Sequence, residues 1–86
     1  MSEREKKTEA ELIEAITKGP RPGTVWRHYT GSRYRVLRCC IDEGDGSVKV
    51  VYRNVAQDVS LCFCRPVEEW YQMLPDGTPR YRYISD

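Results

Sequence analysis

Long apolar stretches are missing from this sequence. The longest hydrophobic run, Leu61–Cys64, is far too short to cross a bilayer. The opening MSEREKKTEAE lacks the apolar segment of a secretory leader, so a cytoplasmic protein without a membrane partner is expected. An excess of one charge is missing too. Lys plus Arg number 14, Asp plus Glu 13, and the net charge of +1 points by itself to neither nucleic acid nor membrane. The sequence has no glycine-rich phosphate loop, no serine nucleophile elbow and no paired metal-ligating carboxylates. Histidine occurs once, at His28, with no acid beside it in sequence to orient the ring for acid–base work. The 86 residues leave room for one domain with a marginal core, which makes a homo-oligomer a reasonable expectation.

The four cysteines are Cys39-Cys40 and Cys62-x-Cys64. Neither spacing is the Cys-x-x-Cys knuckle of zinc sites, and neighbouring strand residues point to opposite faces. Disulfides are disfavoured in a cytoplasm. The thiols are therefore expected as small buried or half-buried side chains, with no metal and no cofactor.

What is present divides near Gly19-Pro20. Residues 1–19 mix five acids with four bases and hold no aromatic ring. Thr8-x-x-Glu11 has the form of a capping box, with Ser2-x-x-Glu5 as an earlier alternative. Leu12, Ile13 and Ile16 share one helical face, and Gly19-Pro20 ends the pattern, so an amphipathic helix closing near Lys18 is expected. Residues 20–86 contain all nine Phe, Trp and Tyr residues, in short β-forming runs separated by turn signals. The runs are Thr24–Tyr29, Arg33–Ile41, Ser47–Asn54, Val59–Cys64 and Pro79–Ile84. Asp42–Gly46 is read as a hairpin loop, Pro66 as a strand end or the start of a helical turn, and Pro75–Thr78 as a turn. The expected fold is mainly β: a small SH3-like antiparallel β-barrel or strongly curved sheet with an N-terminal α-helix.

The basic residues are unevenly placed. Residues 21–41 hold five arginines and no acid, and the body after Gly19 has nine Arg against one Lys. A guanidinium is a planar fork that binds phosphate or carboxylate through two parallel bonds and stacks on rings. Arg beside Tyr and Trp therefore suits an anionic ligand carrying a flat base, although such residues also pair across exposed strands for structural reasons alone. The densest constellation is Arg27-His28-Tyr29-x-Gly31. On a strand Arg27 and Tyr29 share one face and His28 the other, so all three line one pocket only where the strand bends or ends.

Pro22-Gly23-x-x-x-Arg27-His28-Tyr29-x-Gly31-x-x-Tyr34-x-Val36-Leu37 resembles the opening signature of a small bacterial and phage family, domain of unknown function 1653. The likeness continues through Val50–Arg53, Arg65-Pro66, Glu69-Trp70 and Pro79-Arg80-Tyr81, and spans about residues 20–84. Two segments depart from the family pattern. Cys40–Asp45 stands where members carry a polar stretch rich in His, Ser, Glu and Thr, and Phe63-Cys64 stands where a Trp usually precedes Arg-Pro. The resemblance implies a compact β-rich domain and nominates Arg27, His28, Tyr29, Tyr52, Arg53, Arg65 and Arg80 as site residues. Occurrence of such domains in phage genomes implies a host pathway, or a host protein, as a conceivable target.

The function expected from these observations is non-catalytic capture of a phosphate-bearing nucleotide. A phage protein sequestering a host signalling nucleotide is one form of it. Arg27, Arg53, Arg65 or Arg80 would hold the phosphate, Tyr29, Tyr52 or Trp70 would stack on the base, and His28 would contact the ligand. The alternatives are a protein–protein interaction module and a module for single-stranded nucleic acid. An enzyme using His28 or a cysteine is the weakest alternative, because no catalytic motif accompanies either.

Overall fold

The first turn of the chain to be described is held by its own side chains. Residues 7–86 are described by the structure, a computed structural model. The Thr8 amide donates to Glu11 Oε1 at 2.9 Å and the Glu11 amide donates to Thr8 Oγ1 at 3.1 Å. This reciprocal pair starts α1 (Glu9–Thr17), and Lys18 caps its end. The alternative start at Ser2 lies outside the described residues. Only part of the expected apolar stripe is used. Ile16 packs against the core, whereas Ile13 is 55% exposed. Gly19 then lets the chain pass close to the sheet, since a Cβ at that position would lie 2.6 Å from Cys39 Sγ.

The body is β1 (Val25–His28), β2 (Arg33–Ile41), β3 (Val48–Asn54), β4 (Phe63–Pro66), the helical turn α2 (Val67–Trp70) and β5 (Tyr81–Ser85). All pairings are antiparallel and the strand order is β4-β3-β2-β1-β5. The sheet is not closed: among the described residues β4 pairs only with β3, and β5 only with β1. The expected mainly β fold with an N-terminal helix is found, and of its two expected forms, barrel or curved sheet, the sheet is open. A barrel fills its interior by wrapping the sheet on itself, whereas here α2 delivers Trp70 onto one face, and that indole fills the space.

The expected strand Val59–Cys64 is displaced to Phe63–Pro66. Asp58 causes the shift. Its carboxylate accepts from both the amide and the hydroxyl of Ser60, and the Leu61 amide donates to the Asp58 carbonyl at 3.0 Å. These bonds wind residues 58–61 into a turn and override the alternating pattern. Pro66 ends β4 at a sheet edge, where its missing N–H is tolerated, and starts α2.

Alternation assigns every strand residue to one of two faces. The inner face carries Val36, Cys39, Val50, Tyr52 and Tyr81, which bury together with Trp70. A bulge at Leu37 leaves Leu37 and Arg38 both exposed and resets the phase, so that Val36 and Cys39, three residues apart, both face inward. Trp70 and Tyr81 stack with centroids 3.9 Å apart and planes 5° from parallel. Trp26 meets Trp70 edge-on at 5.8 Å and donates from Nε1 to Thr24 Oγ1 at 2.9 Å. Burying an aromatic side chain of this size removes about 150–250 Å² from water, so this cluster supplies much of the core's stabilisation.

Candidate anion-binding site

The inner face draws one polar side chain from each strand to a common region. These are His28 at the end of β1, Tyr34 on β2, Tyr52 on β3, Arg65 on β4 and Tyr81 on β5. The rings of His28 and Tyr81 lie 5.0 Å apart, those of Tyr34 and Tyr52 5.3 Å, and those of Tyr34 and Tyr81 6.0 Å. The Arg65 guanidinium carbon stands 6.0 Å from the centre of the Tyr81 ring, and its Nε makes a long contact of 3.5 Å with the Tyr52 hydroxyl. Arg80 joins from just before β5. It escapes strand alternation, and its Nη2 donates to Gln72 Oε1 at 2.8 Å.

The charges of Arg65 and Arg80 both reach His28. The His28 imidazole is held below its ordinary value of 6.5, first by burial and then by the fields of Arg80 and Arg65. Its tautomer is also fixed. The Thr30 amide donates to His28 Nδ1 at 3.3 Å, which makes Nδ1 an acceptor and leaves the proton on Nε2. Nδ1 therefore accepts from the Thr30 hydroxyl at 2.8 Å as well. Burial and the neighbouring Tyr52 hydroxyl push the Tyr81 phenol up, so it stays a neutral donor at physiological pH. Arg65 is paired with Glu69 at 3.1 Å, an exposed carboxylate. Among the described residues Arg80 has no carboxylate partner, and its buried Nε has no hydrogen-bond partner. The region thus holds two guanidiniums, a neutral imidazole N–H and the phenols of Tyr34, Tyr52 and Tyr81.

The eight residues nominated by sequence do not form one site. His28, Tyr52, Arg65 and Arg80 come together on the inner face. Arg27 and Arg53 project from the outer face, on strands separated by β2. Tyr29 follows the last residue of β1, and its ring returns to within 4.4 Å of His28. With Arg27, His28, Thr78, Pro79 and Arg82 it lines a cavity of about 190 Å³ at the end of the sheet. Trp70 is 0% exposed and stacked on Tyr81, so it offers no face to a base; it packs the core instead. Tyr52, at 6%, contributes little more than its hydroxyl. The rings that remain open beside the cluster are Tyr29, 53% exposed, and Phe63, 45% exposed and 6.1 Å from Tyr52.

Sequence reasoning passed over Tyr34 and Tyr81 as site residues. The signal for Tyr34 was its phase: it shares a strand face with the buried Val36. Tyr81 had only its place in the Pro79-Arg80-Tyr81 motif. The cysteines are all free: Cys39 is buried, with its thiol pushed up by burial, Cys40 is half-buried, and Cys62 and Cys64 are exposed. No group of three His, Cys, Asp or Glu side chains among the described residues could hold a metal. No described helix is long and apolar enough to cross a membrane.

Comparison with known proteins gives a family. The family described as protein of unknown function (DUF1653) matches residues 24–83. A crystal structure of a DUF1653 protein from Bordetella bronchiseptica is similar, with a TM-score of 0.66 and 29% sequence identity. The similarity covers 79% of this chain and 91% of that one. No curated protein matches the chain.

Proposed function

The chain belongs to the DUF1653 family, and from that premise, which supplies a fold but no activity, we propose that the domain is a non-catalytic module capturing a phosphate-bearing nucleotide on its inner face. The phosphate sits between Arg80 and Arg65, with the Nε2–H of His28 and the Tyr81 hydroxyl as further donors. The base lies against Tyr29 or Phe63, the two exposed rings that flank the cluster. One observation carries the proposal: two guanidiniums converge on a neutral histidine, and one of them has no described counter-charge. An anion bound there supplies Arg80 with a counter-charge and displaces at most the exposed carboxylate of Glu69. Sequestration of a signalling nucleotide is one use for such a module. A second copy of the chain covering the open side of the site would suit that role.

The test is thermal unfolding of the full chain with AMP, GMP, CMP, UMP, a 3′,5′-cyclic mononucleotide and inorganic phosphate. A ligand at a hundred times its dissociation constant adds about 2.7 kcal/mol, a readily measured shift. At least one nucleotide is expected to raise the melting temperature more than inorganic phosphate does. The variant carrying Arg65→Gln and Arg80→Gln is expected to lose that rise while melting cooperatively. No rise with any nucleotide at about 10 mM, or a rise that survives both substitutions, overturns the proposal.

A further inference from the structure

The outer face carries six arginines that the inner site does not use, and five of them face one another across the strands, Arg38 being the sixth. Arg27 on β1 stands directly opposite Arg33 on β2 and Arg82 on β5, and Arg35 on β2 stands opposite Arg53 on β3. Like charges at paired positions destabilise an antiparallel sheet, and here three such pairs lie side by side. No described strand contains an acidic residue to relieve them. Among the described residues none of the five is in an ion pair. Arg35 and Arg53 donate to the backbone carbonyls of Gly23 and Gln57 at 2.7 and 3.0 Å, which orients the forks and leaves the charge uncompensated. Asp58 feels the field of Arg53, but its carboxylate is taken up by Ser60.

We propose that this face binds the phosphate backbone of a nucleic-acid duplex. The first reason is charge. A duplex supplies the missing counter-charge as a dense row of phosphates, and a guanidinium fork matches phosphate geometry. The second is dimension. From β5 to β3 is three strand spacings, about 14 Å, comparable with the roughly 12 Å width of a major groove. Arginines at the two ends of the patch can therefore meet phosphates on both strands. The third is what the face omits. Every aromatic residue in the strands, Trp26, Tyr34, Tyr52, Phe63, Tyr81 and Tyr83, falls in the inner phase. A single strand needs rings on which its bases stack, and a protein partner needs a buried aromatic anchor. The strands of the outer face carry neither, and Tyr29 alone reaches its edge, in the cavity it lines with Arg27 and Arg82, so affinity there comes chiefly from phosphate contact, which reads no sequence.

The experiment is fluorescence anisotropy of the full chain with a labelled mixed-sequence duplex of about 20 base pairs, at salt from about 50 to 300 mM. Binding is expected at the lowest salt. The log of the association constant should fall with log salt at about −0.9 per phosphate contact, hence about −4 to −5 for five arginines. Arg27→Gln with Arg33→Gln should weaken binding and reduce the slope by about 2, while the melting temperature stays level or rises because a repulsive pair is gone. Arg65→Gln with Arg80→Gln removes the same charge from the inner face and should leave duplex binding within about twofold while abolishing nucleotide capture, so the two proposals fail separately. Any of three results overturns the duplex assignment. These are no binding at the lowest salt, equal loss from the inner-face and outer-face variants, and tighter binding of a single strand of the same length.

Discussion

The two faces of this sheet are built from alternate residues of the same five strands, yet they treat cationic side chains in opposite ways. On the inner face Arg65 is set among rings, a phenol and the carboxylate of Glu69, and the histidine beside it is kept neutral. On the outer face arginine meets arginine. The inner arrangement is fixed by packing: Trp70 and Tyr81 stack, and the polar groups take the positions the rings leave. The outer arrangement has no packing to fix it, and its cross-strand pairs work against the fold. A feature that costs stability and is not compensated internally points to a partner outside the chain, whereas a feature embedded in the core can be mistaken for packing. The inner site is therefore the better hidden of the two, and the outer patch the easier to measure.

The comparison can be broken hardest at Trp70. Trp70→Ala is expected to cost about 3–5 kcal/mol, because a cavity replaces a fully buried indole. A chain of this length has about 4–13 kcal/mol in all, so urea unfolding should begin at far lower denaturant or show no folded baseline. An unchanged midpoint would mean that the inner face does not hold the fold.

The opposite sign is expected outside. Arg33→Glu places a carboxylate opposite Arg27 and should stabilise the domain by about 0.5–1 kcal/mol. The gain should shrink with added salt, because the pair is exposed and screened. A loss of stability in urea unfolding at low salt would show that the arginine pairs are not strained.

The smallest effect belongs to His28. Its folded value lies below the unfolded value of 6.5, so the unfolded state binds the proton more readily. Stability is then complete above pH 6.5 and declines as pH falls from there through the folded value. Melting temperature measured across that window should drop on acidification, and His28→Gln should flatten the drop. An identical profile in the variant would detach His28 from Arg65 and Arg80.

Much of the fold was legible because local chemistry dictates it. The Thr8–Glu11 capping box, the Asp42–Gly46 hairpin and the alternation along Ser47–Asn54 all read directly from residue types. Closure of the sheet did not, since it depends on whether a side chain or a strand fills the inner face, and Trp70 lies beside Glu68-Glu69, which read as solvent-exposed. The site was half legible. Alternation separates Arg27 from His28 but does not say which points inward. The bulge at Leu37 resets the phase within β2, so a simple period of two misplaces half of that strand. Arg80 reaches the inner face only because it precedes β5, a boundary that the run Pro79–Ile84 concealed.

The strand order β4-β3-β2-β1-β5 also sets a sequence of events. β1 through β4 form a meander in which each strand pairs with its neighbour in the chain, through short connections that close quickly. β5 alone must travel back, since Tyr81 pairs with His28 across the whole length of that meander. Its docking carries the larger loop-closure entropy and is expected as a late step of folding. Tyr81 and Arg80 arrive with it, so the inner-face cluster does not exist until the last strand is in place. A nascent or partly folded chain can thus display Arg27, Arg33, Arg35 and Arg53 early, while Arg82 and capture at the inner face wait for β5.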